Sequence, residues 1–165
     1  MSTQAIGAAA AGTAILGGGG ATIAYAAGAF DGEKGSNIKT YANFLEYVQG
    51  DESGRVFLVE AEIKDKLDES GKEPDYKNLI KGNLTNMASL ASGVDKPSDS
   101  DFTSTEETSK TKIVTFTNKW CEVRKSKSLS EEQGNKKLTK NEIEANSEWA
   151  LFKIICTKEK AVTQI

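Results

Sequence analysis

Histidine is absent from the 165-residue chain, and this absence removes several kinds of catalytic site. Ser-His-Asp and Cys-His catalysis need an imidazole base, and HExxH zinc sites need imidazole ligands. Every other zinc site with a histidine ligand is excluded for the same reason. The function must therefore be sought outside these classes.

Cysteine is scarce as well, because Cys121 and Cys156 are the only two in the chain. They lie far apart and form no CxxC pair, which excludes a zinc cluster and a thioredoxin-type motif. A disulfide between them is one interpretation, and it requires a domain that faces an oxidising exterior. The apolar neighbours of each cysteine favour the other interpretation, in which both are small buried residues with free thiols.

Carboxylates are plentiful, but no two of them stand out as an acid and base pair at catalytic separation. We predict no catalytic, cofactor-binding or metal-binding residue in this chain. We therefore expect no cofactor and no enzymatic activity.

The net charge of −3 argues against a dedicated nucleic-acid binder, which would need a basic face. Basic residues are nevertheless concentrated between Lys110 and Lys140, where nine of them stand against three acidic residues. Such a segment either contacts phosphate and anionic lipid or forms a solvated surface of mixed charge. The mixed-charge surface is the favoured interpretation, and no nucleic-acid partner is expected.

No charged side chain occurs between Met1 and Phe30, where Ala and Gly predominate. The uncharged length exceeds the roughly 20 residues that a membrane-spanning helix needs. The four glycines from Gly17 to Gly20 would destabilise a helix in water by about 1 kcal/mol each, whereas small residues are common where membrane helices pack closely. We predict a transmembrane helix over residues 1–30, in contact with membrane lipid, and a linker over residues 31–37.

The side chains of this segment fall into two stripes. Large residues recur every seven positions, at Leu16, Ile23 and Phe30. Small residues recur every four positions, at Ala10, Ala14, Gly18, Thr22 and Ala26. A close-packed helix pair would use the small-residue stripe, so self-association of the helix is a further hypothesis.

A cleaved signal peptide is the main alternative to an anchor. Ala27-Gly28-Ala29 fits an A-x-A cleavage site, but the segment from Met1 to Gln4 contains no Lys or Arg. The anchor is favoured, and both alternatives send the rest of the chain through or onto a membrane. No Lys/Arg cluster follows the segment, which favours a domain outside the cell.

Hydrophobic spacing predicts a mainly α-helical domain over residues 38–165, with one or two short strands. The first helix is predicted from Ile38 to Val48, with a stop at Gly50-Asp51. Residues 55–67 begin with the pattern of a buried strand and continue with that of a helix, so both remain open.

The second half of the domain contains further helical patterns. A helix from Leu79 is predicted to end at the C-cap residue Gly93, and a polar loop is predicted near residues 94–110. Residues 113–123 fit either a strand or a helix.

The strongest helical pattern is the last one. The segment from Thr139 to Glu142 fits a capping box and predicts a final helix of about twenty residues with a wide apolar face. Trp120 and Trp149 are expected to pack as core anchors.

The layout of the chain also carries a resemblance. Met1-Ser2-Thr3 leads into the glycine-rich apolar segment, and a body rich in Lys, Ser, Thr and Glu follows with Lys119-Trp120-Cys121 and a late Glu148-Trp149-Ala150-Leu151 helix. In this arrangement the chain resembles the uncharacterised paralogous proteins of haemotropic mycoplasmas. The resemblance implies a small single-pass protein of a wall-less bacterium, displayed at the surface and varied between paralogues. It implies no catalytic residues.

These observations lead to two functional hypotheses. The favoured one is a membrane-anchored surface protein whose outer domain binds a host or surface protein or serves as a variable antigen. The alternative is a scaffolding protein that faces the cytoplasm and uses residues 110–140 against anionic lipid headgroups.

If residues 1–30 form an anchor, the expressed chain will stay with membranes during alkaline carbonate extraction and will be released by detergent. Deletion of residues 1–30 will move the chain to the soluble fraction. Sequencing of the N-terminus separates an anchor from a signal peptide, because cleavage after Ala29 leaves Phe30 as the first residue. Carbonate release of a chain with its original N-terminus would contradict the anchor.

Overall fold

Helices form most of the residues that the structure describes, and a few short strands join segments that are distant in the sequence. The structure is a computed structural model that describes residues 38–69, 75–129 and 136–161. In chain order, the elements of these residues are β1 (Thr40–Tyr41), α1 (Phe44–Gln49), β2 (Arg55–Phe57), α2 (Glu60–Asp68), α3 (Tyr76–Ala88), α4 (Asp99–Thr103), α5 (Glu107–Ser126), β3 (Leu138–Thr139), α6 (Lys140–Glu144), α7 (Ser147–Cys156) and β4 (Thr157–Glu159). The predicted mainly helical fold with short strands is therefore confirmed for these residues.

The strands form two separate antiparallel pairs within the described residues. In one pair β1 lies beside β3, with Thr40 opposite Thr139. In the other, β2 lies beside β4, with Phe57 opposite Thr157. Each pair joins a segment near the start of the domain to one near its end, and the described strands outnumber the one or two that were expected.

The first helix is shorter than its hydrophobic spacing predicts. Residues 40–41 belong to β1, and α1 begins only after Asn43, whose side-chain oxygen accepts a hydrogen bond from the Glu46 amide at 2.8 Å. The helix ends at Gly50 as predicted, and a Cβ atom at this position would lie 2.9 Å from the Tyr41 ring. Pairing with β3 therefore takes the residues that periodicity assigned to the helix.

Residues 55–67 contain both of the structures that their pattern left open. The apolar start forms β2, and the charged continuation forms α2. Between them, the Val59 amide donates to the Glu62 carboxylate at 3.0 Å, which satisfies one of the free amides at the start of α2.

Two predicted boundaries in the middle of the chain are wrong. Helix α3 ends at Ala88 and not at Gly93, which lies in the following turn with a φ of +83°. The predicted polar loop near 94–110 contains α4 and the start of α5. Helix α4 forms because the Asp101 carboxylate accepts a hydrogen bond from the Ser98 amide at 2.7 Å, which caps its first turn. This cap was not predicted, because Ser and Asp are abundant in this segment and are also typical of loops.

Helix α5 resolves the mixed signal of residues 113–123 in favour of helix. One face of it is buried at Ile113, Phe116, Trp120 and Arg124, which follow one another at helical spacing. Burial of this face outweighs the strand preference of the β-branched residues between them.

The predicted capping box at Thr139 is confirmed, since Thr139 donates its amide to the Glu142 carboxylate at 2.8 Å. The single final helix of about twenty residues is wrong, because the chain breaks after Glu144 into α6 and α7. Asn146 causes the break: its side-chain oxygen accepts the amides of Glu148 and Trp149 at 2.8 and 3.3 Å and starts a new helix.

Each described helix contributes buried residues to one core, and α7 supplies its aromatic centre. Phe152 is fully buried, and its ring centroid lies 4.8 Å from that of Phe44 and 6.2 Å from that of Phe57. Trp120 and Trp149 each lie 6.0 Å from Phe152. The two tryptophans are therefore core residues that meet through Phe152.

A polar network ties α1 and α6 to this centre. The Glu144 carboxylate accepts the Tyr47 hydroxyl at 2.6 Å and the Trp149 indole N–H at 2.9 Å. Partial burial alone would raise the pKa of Glu144, but these two donors and the Lys153 charge outweigh it and lower the pKa below 4.5. Burial and the same carboxylate raise the pKa of the Tyr47 hydroxyl far above its usual range.

The lowered pKa of Glu144 makes its contribution to stability dependent on pH. A carboxylate with a depressed pKa in the folded state stabilises the protein above its unfolded pKa, and this stabilisation is lost as the pH falls through the folded value. We expect Glu144→Gln to lower the free energy of unfolding at pH 7, with a deficit relative to wild type that shrinks below pH 4.5. Urea titrations at several pH values measure it.

Tyr47→Phe is the matched variant, because it keeps the ring and removes one donor to Glu144. Its deficit in the free energy of unfolding should also shrink as the pH falls, and this deficit should be smaller than that of Glu144→Gln. A Glu144→Gln deficit of equal size at neutral and acidic pH would contradict this account of the network.

Candidate functional site

A groove opens on the domain surface between α3, the last turns of α5 and the first turns of α7. Its volume is about 580 Å³, which lies within the usual range of ligand pockets. We call it the α3–α5–α7 groove. It is lined by Asn83, Thr85, Asn86, Ser89 and Leu90 of α3 and its C-terminal end, Trp120, Arg124 and Lys127 of α5 and its C-terminal end, and Ser147, Glu148 and Leu151 of α7.

Among the charged residues that line this groove, Arg124 is the buried one. It is 2 % exposed, one turn after Trp120 on the buried face of α5. Its guanidinium carbon lies 4.4 Å from the centroid of the Phe44 ring, a cation–π geometry. The aromatic core thus holds a cation where the core meets the groove.

The polar contacts of this guanidinium are incomplete. One terminal nitrogen donates to the Lys127 carbonyl at 3.4 Å, and the other donates to the Glu148 carboxylate. The third nitrogen, Nε, is buried and finds no hydrogen-bond partner among the residues that the structure describes. Buried polar atoms in proteins are nearly always paired, so this donor needs an explanation.

Glu148 reaches Arg124 from the solvent side of the groove. It lies in the first turn of α7, where an acidic side chain is favoured by the helix dipole. Its side chain is 61 % exposed, while that of Arg124 is 3 % exposed. The buried cation is therefore balanced by a carboxylate that water can reach.

The α3 wall of the groove presents amide and hydroxyl groups. Asn83 donates through its side-chain nitrogen to the Leu79 carbonyl at 2.8 Å, which leaves its side-chain oxygen as an acceptor. Asn86 lies one turn further along the same face, and Leu90 is half-buried beyond it. This wall can both donate and accept hydrogen bonds next to an apolar contact.

The two cysteines are joined, so the favoured expectation of free thiols is wrong. Cys121 and Cys156 form a disulfide with a Cα–Cα distance of 5.6 Å, within the usual range for such bonds. Both residues are buried. The apolar neighbours that favoured free thiols are the core in which the bond lies.

This disulfide connects two walls of the groove. Cys121 follows the groove residue Trp120 on α5, and Cys156 ends α7. The bond and the Arg124–Glu148 pair fasten the same two helices at different points. The relative position of these walls is thereby fixed covalently.

The basic residues between Lys110 and Lys140 do not form one open cationic surface. At least five of the nine have acidic partners: Lys110 with Asp68, Lys112 with Asp101, Arg124 with Glu148, Lys125 with Glu122, and Lys136 with Glu142. Most of these pairs are exposed and contribute little to stability. They do reduce the positive field that this segment presents.

The described residues contain no group of three or more His, Cys, Asp or Glu side chains arranged to hold a metal ion. Within the same residues, no helix has both the length and the apolar character needed to cross a bilayer. Leu16, Gly18, Ile23 and Phe30 of the predicted membrane segment, and the 31–37 linker, lie outside the described residues. The structure therefore places the cysteines and leaves the membrane prediction as it was.

Comparison with known proteins supplies no relative. The chain matches no protein-family model, no curated protein and no solved structure.

Arg124 and Glu148 were not singled out by the sequence. One signal was present, because Arg124 continues the apolar stripe of Trp120 and its predecessors at helical spacing. A charge at a position that periodicity assigns to the core is unusual enough to mark a site. Its partnership with Glu148 depends on the packing of α7 against α5, which no local pattern reveals.

The disulfide should stabilise the folded chain by limiting the unfolded one. For a sequence separation of 35 residues, chain entropy gives a contribution of about 3–4 kcal/mol. Cys121→Ala combined with Cys156→Ala should lower the free energy of unfolding by this order, as measured by denaturant titration.

Reducing agent provides the control, since it should destabilise the wild-type chain and leave the double variant unchanged. The non-reduced wild-type chain should also lack the two thiol hydrogens by mass spectrometry. Two titratable thiols in the denatured, non-reduced wild-type chain would contradict the bond.

Proposed function

We propose that this chain is a membrane-anchored surface protein whose helical domain is a binding module outside the cell. The observation that carries the proposal is the buried Cys121–Cys156 disulfide. Structural disulfides persist in oxidising compartments and are rare where thioredoxin and glutathione keep thiols reduced. A bond that fixes the core therefore favours a domain on the outer side of a membrane.

The uncharged segment over residues 1–30 supports the membrane part of this proposal. It has the length of a spanning helix and no charged side chain. Membrane lipid is its proposed partner, and the small-residue stripe through Gly18 would permit a helix pair. The absence of a downstream Lys/Arg cluster agrees with an outer domain.

The α3–α5–α7 groove supports a binding role for the domain. The disulfide holds the α5 and α7 walls together, so these walls are positioned before any ligand arrives. Preorganisation of this kind lowers the free-energy cost of association. A host or surface protein is the proposed partner, and variation of the exposed surface between copies would make the same domain an antigen.

A cytoplasmic scaffold that uses residues 110–140 against anionic lipid is the second candidate. The ion pairs of Lys110, Lys112 and Lys125 with acidic neighbours weigh against it, because each reduces the charge available to a headgroup. A reduced, cytoplasmic Cys121–Cys156 pair would weigh in its favour.

The side of the membrane can be tested with a site-specific protease. A recognition sequence is inserted between Ser36 and Asn37, and protease is added to intact cells that express the chain. An outer domain will be cut from intact cells, and a variant with a scrambled recognition sequence will not.

A cytoplasmic marker protein carrying the same recognition sequence must stay uncut before lysis. Cleavage of the inserted sequence only after lysis would overturn the outer location and favour the scaffold.

A further inference from the structure

We propose that the α3–α5–α7 groove binds the C-terminal carboxylate of a peptide, with Arg124 as the anion-binding residue. In the free protein Glu148 occupies the position of that carboxylate, and the ligand replaces it. The inference deepens the proposed function, on which it rests for its setting, by giving the binding module a ligand class.

Arg124 is buried and carries a charge that must be balanced. An arginine side chain that is 3 % exposed needs a counter-charge, because an uncompensated buried ion is strongly destabilising. The carboxylate beside it belongs to Glu148, whose side chain is 61 % exposed. Such a side chain can move into water at little free-energy cost, provided another carboxylate takes its place.

Arg124 also retains an unused hydrogen-bond donor, its Nε, within the described part of the chain. Lys127 and Glu148 take one terminal nitrogen each, and Nε has no partner among the described residues. A carboxylate that binds the edge formed by Nε and one terminal nitrogen accepts two parallel hydrogen bonds. The ligand would therefore make one more bond to Arg124 than Glu148 does.

The first turn of α7 contributes the electrostatic field of its helix dipole to anion binding, and not its backbone N–H groups. The Glu148 and Trp149 amides already donate to Asn146, so they are not available to an anion. The positive end of the helix dipole still favours negative charge at this end of the groove. Recognition of the carboxylate thus depends on one side chain, Arg124.

The rest of the groove favours a peptide over other carboxylates. Asn83 and Asn86 present side-chain amides on one face of α3, and an amide both donates and accepts, as a peptide backbone requires. Leu90 and Leu151 offer apolar contact for an alkyl side chain, a group that a sugar acid lacks. The volume of about 580 Å³ accommodates a short peptide end.

The chain provides an internal reference for a direct test. Arg55 and Arg124 are its only arginines. The Nε of Arg55 donates to the Thr157 hydroxyl at 2.5 Å, away from the groove. An NMR spectrum of arginine Nε–H groups in the ¹⁵N-labelled full chain, in an uncharged maltoside detergent, therefore contains one reporter and one reference signal. Arg124→Lys assigns the reporter by removing its signal.

The probes are sodium acetate, acetyl-Ala-Leu with a free carboxylate, acetyl-Ala-Leu amide and galacturonate, each at constant ionic strength. We expect the Arg124 signal to shift saturably with acetate and with the peptide acid, and the peptide acid to bind at least tenfold more tightly than acetate. The peptide amide should produce no shift, and the Arg55 signal should stay in place.

Two variants test the exchange with Glu148. Glu148→Gln removes the competing charge and leaves the buried Arg124 without a counter-charge in the free protein. The peptide acid should therefore bind at least roughly threefold more tightly, because threefold is the factor for an exposed ion pair and burial of Arg124 makes this pair stronger. Glu122→Gln is the matched control, because Glu122 is an exposed α5 carboxylate paired with Lys125 and does not line the groove. It should leave the affinity unchanged, and circular dichroism verifies that both variants fold.

No saturable shift of the wild-type Arg124 signal, or an equal shift of Arg55, would overturn the proposal whatever the variants do. Equal affinity for acetate and the peptide acid, or tighter binding of galacturonate, would overturn the peptide as ligand class. These titrations use purified protein and do not depend on the side of the membrane. Their failure is therefore distinguishable from failure of the protease test.

Discussion

The packing of Phe152 against rings from three other elements determines how the domain is arranged. Phe44 of α1, Phe57 of β2 and Trp120 of α5 all contact this one side chain, which is fully buried. Removal of a buried phenylalanine side chain typically costs about 3–5 kcal/mol, a large part of the stability of a small domain. The helices of this chain are short, so tertiary contacts of this size, more than helix propensity, hold them in place.

The groove follows from the same packing. Phe44 presents one side of its ring to Phe152 and lies 4.4 Å from the Arg124 guanidinium carbon. An aromatic face is one of the few apolar surfaces that stabilises a cation. The position of Arg124 is thus a consequence of the aromatic centre, and the Cys121–Cys156 bond fixes α5 and α7 around it.

The sequence predicted the elements whose signals are local. The capping box at Thr139 and the helical class of the domain needed only nearby residues. The predictions were wrong where contacts between residues distant in the sequence determine the structure. Residues 40–41 pair with β3 and shorten α1, and the two cysteines meet because α5 and α7 pack together. Asn146 is an exception, because its role as a helix start was local and the continuous apolar face on both sides obscured it. The groove itself was not predictable, since its walls come from three segments.

The two strand pairs have a consequence for how the chain folds. Thr40 pairs with Thr139 and Arg55 pairs with Glu159, so each pair closes a loop of about one hundred residues. Contacts of such high sequence separation slow folding, because the entropy of loop closure is lost before the contacts form. Residues 40–57 find their strand partners only after the segment from β3 to β4 has been synthesised. We therefore expect this domain to complete its folding only after β4 has left the ribosome, because β1 and β2 do not both have their pairing strands before that point.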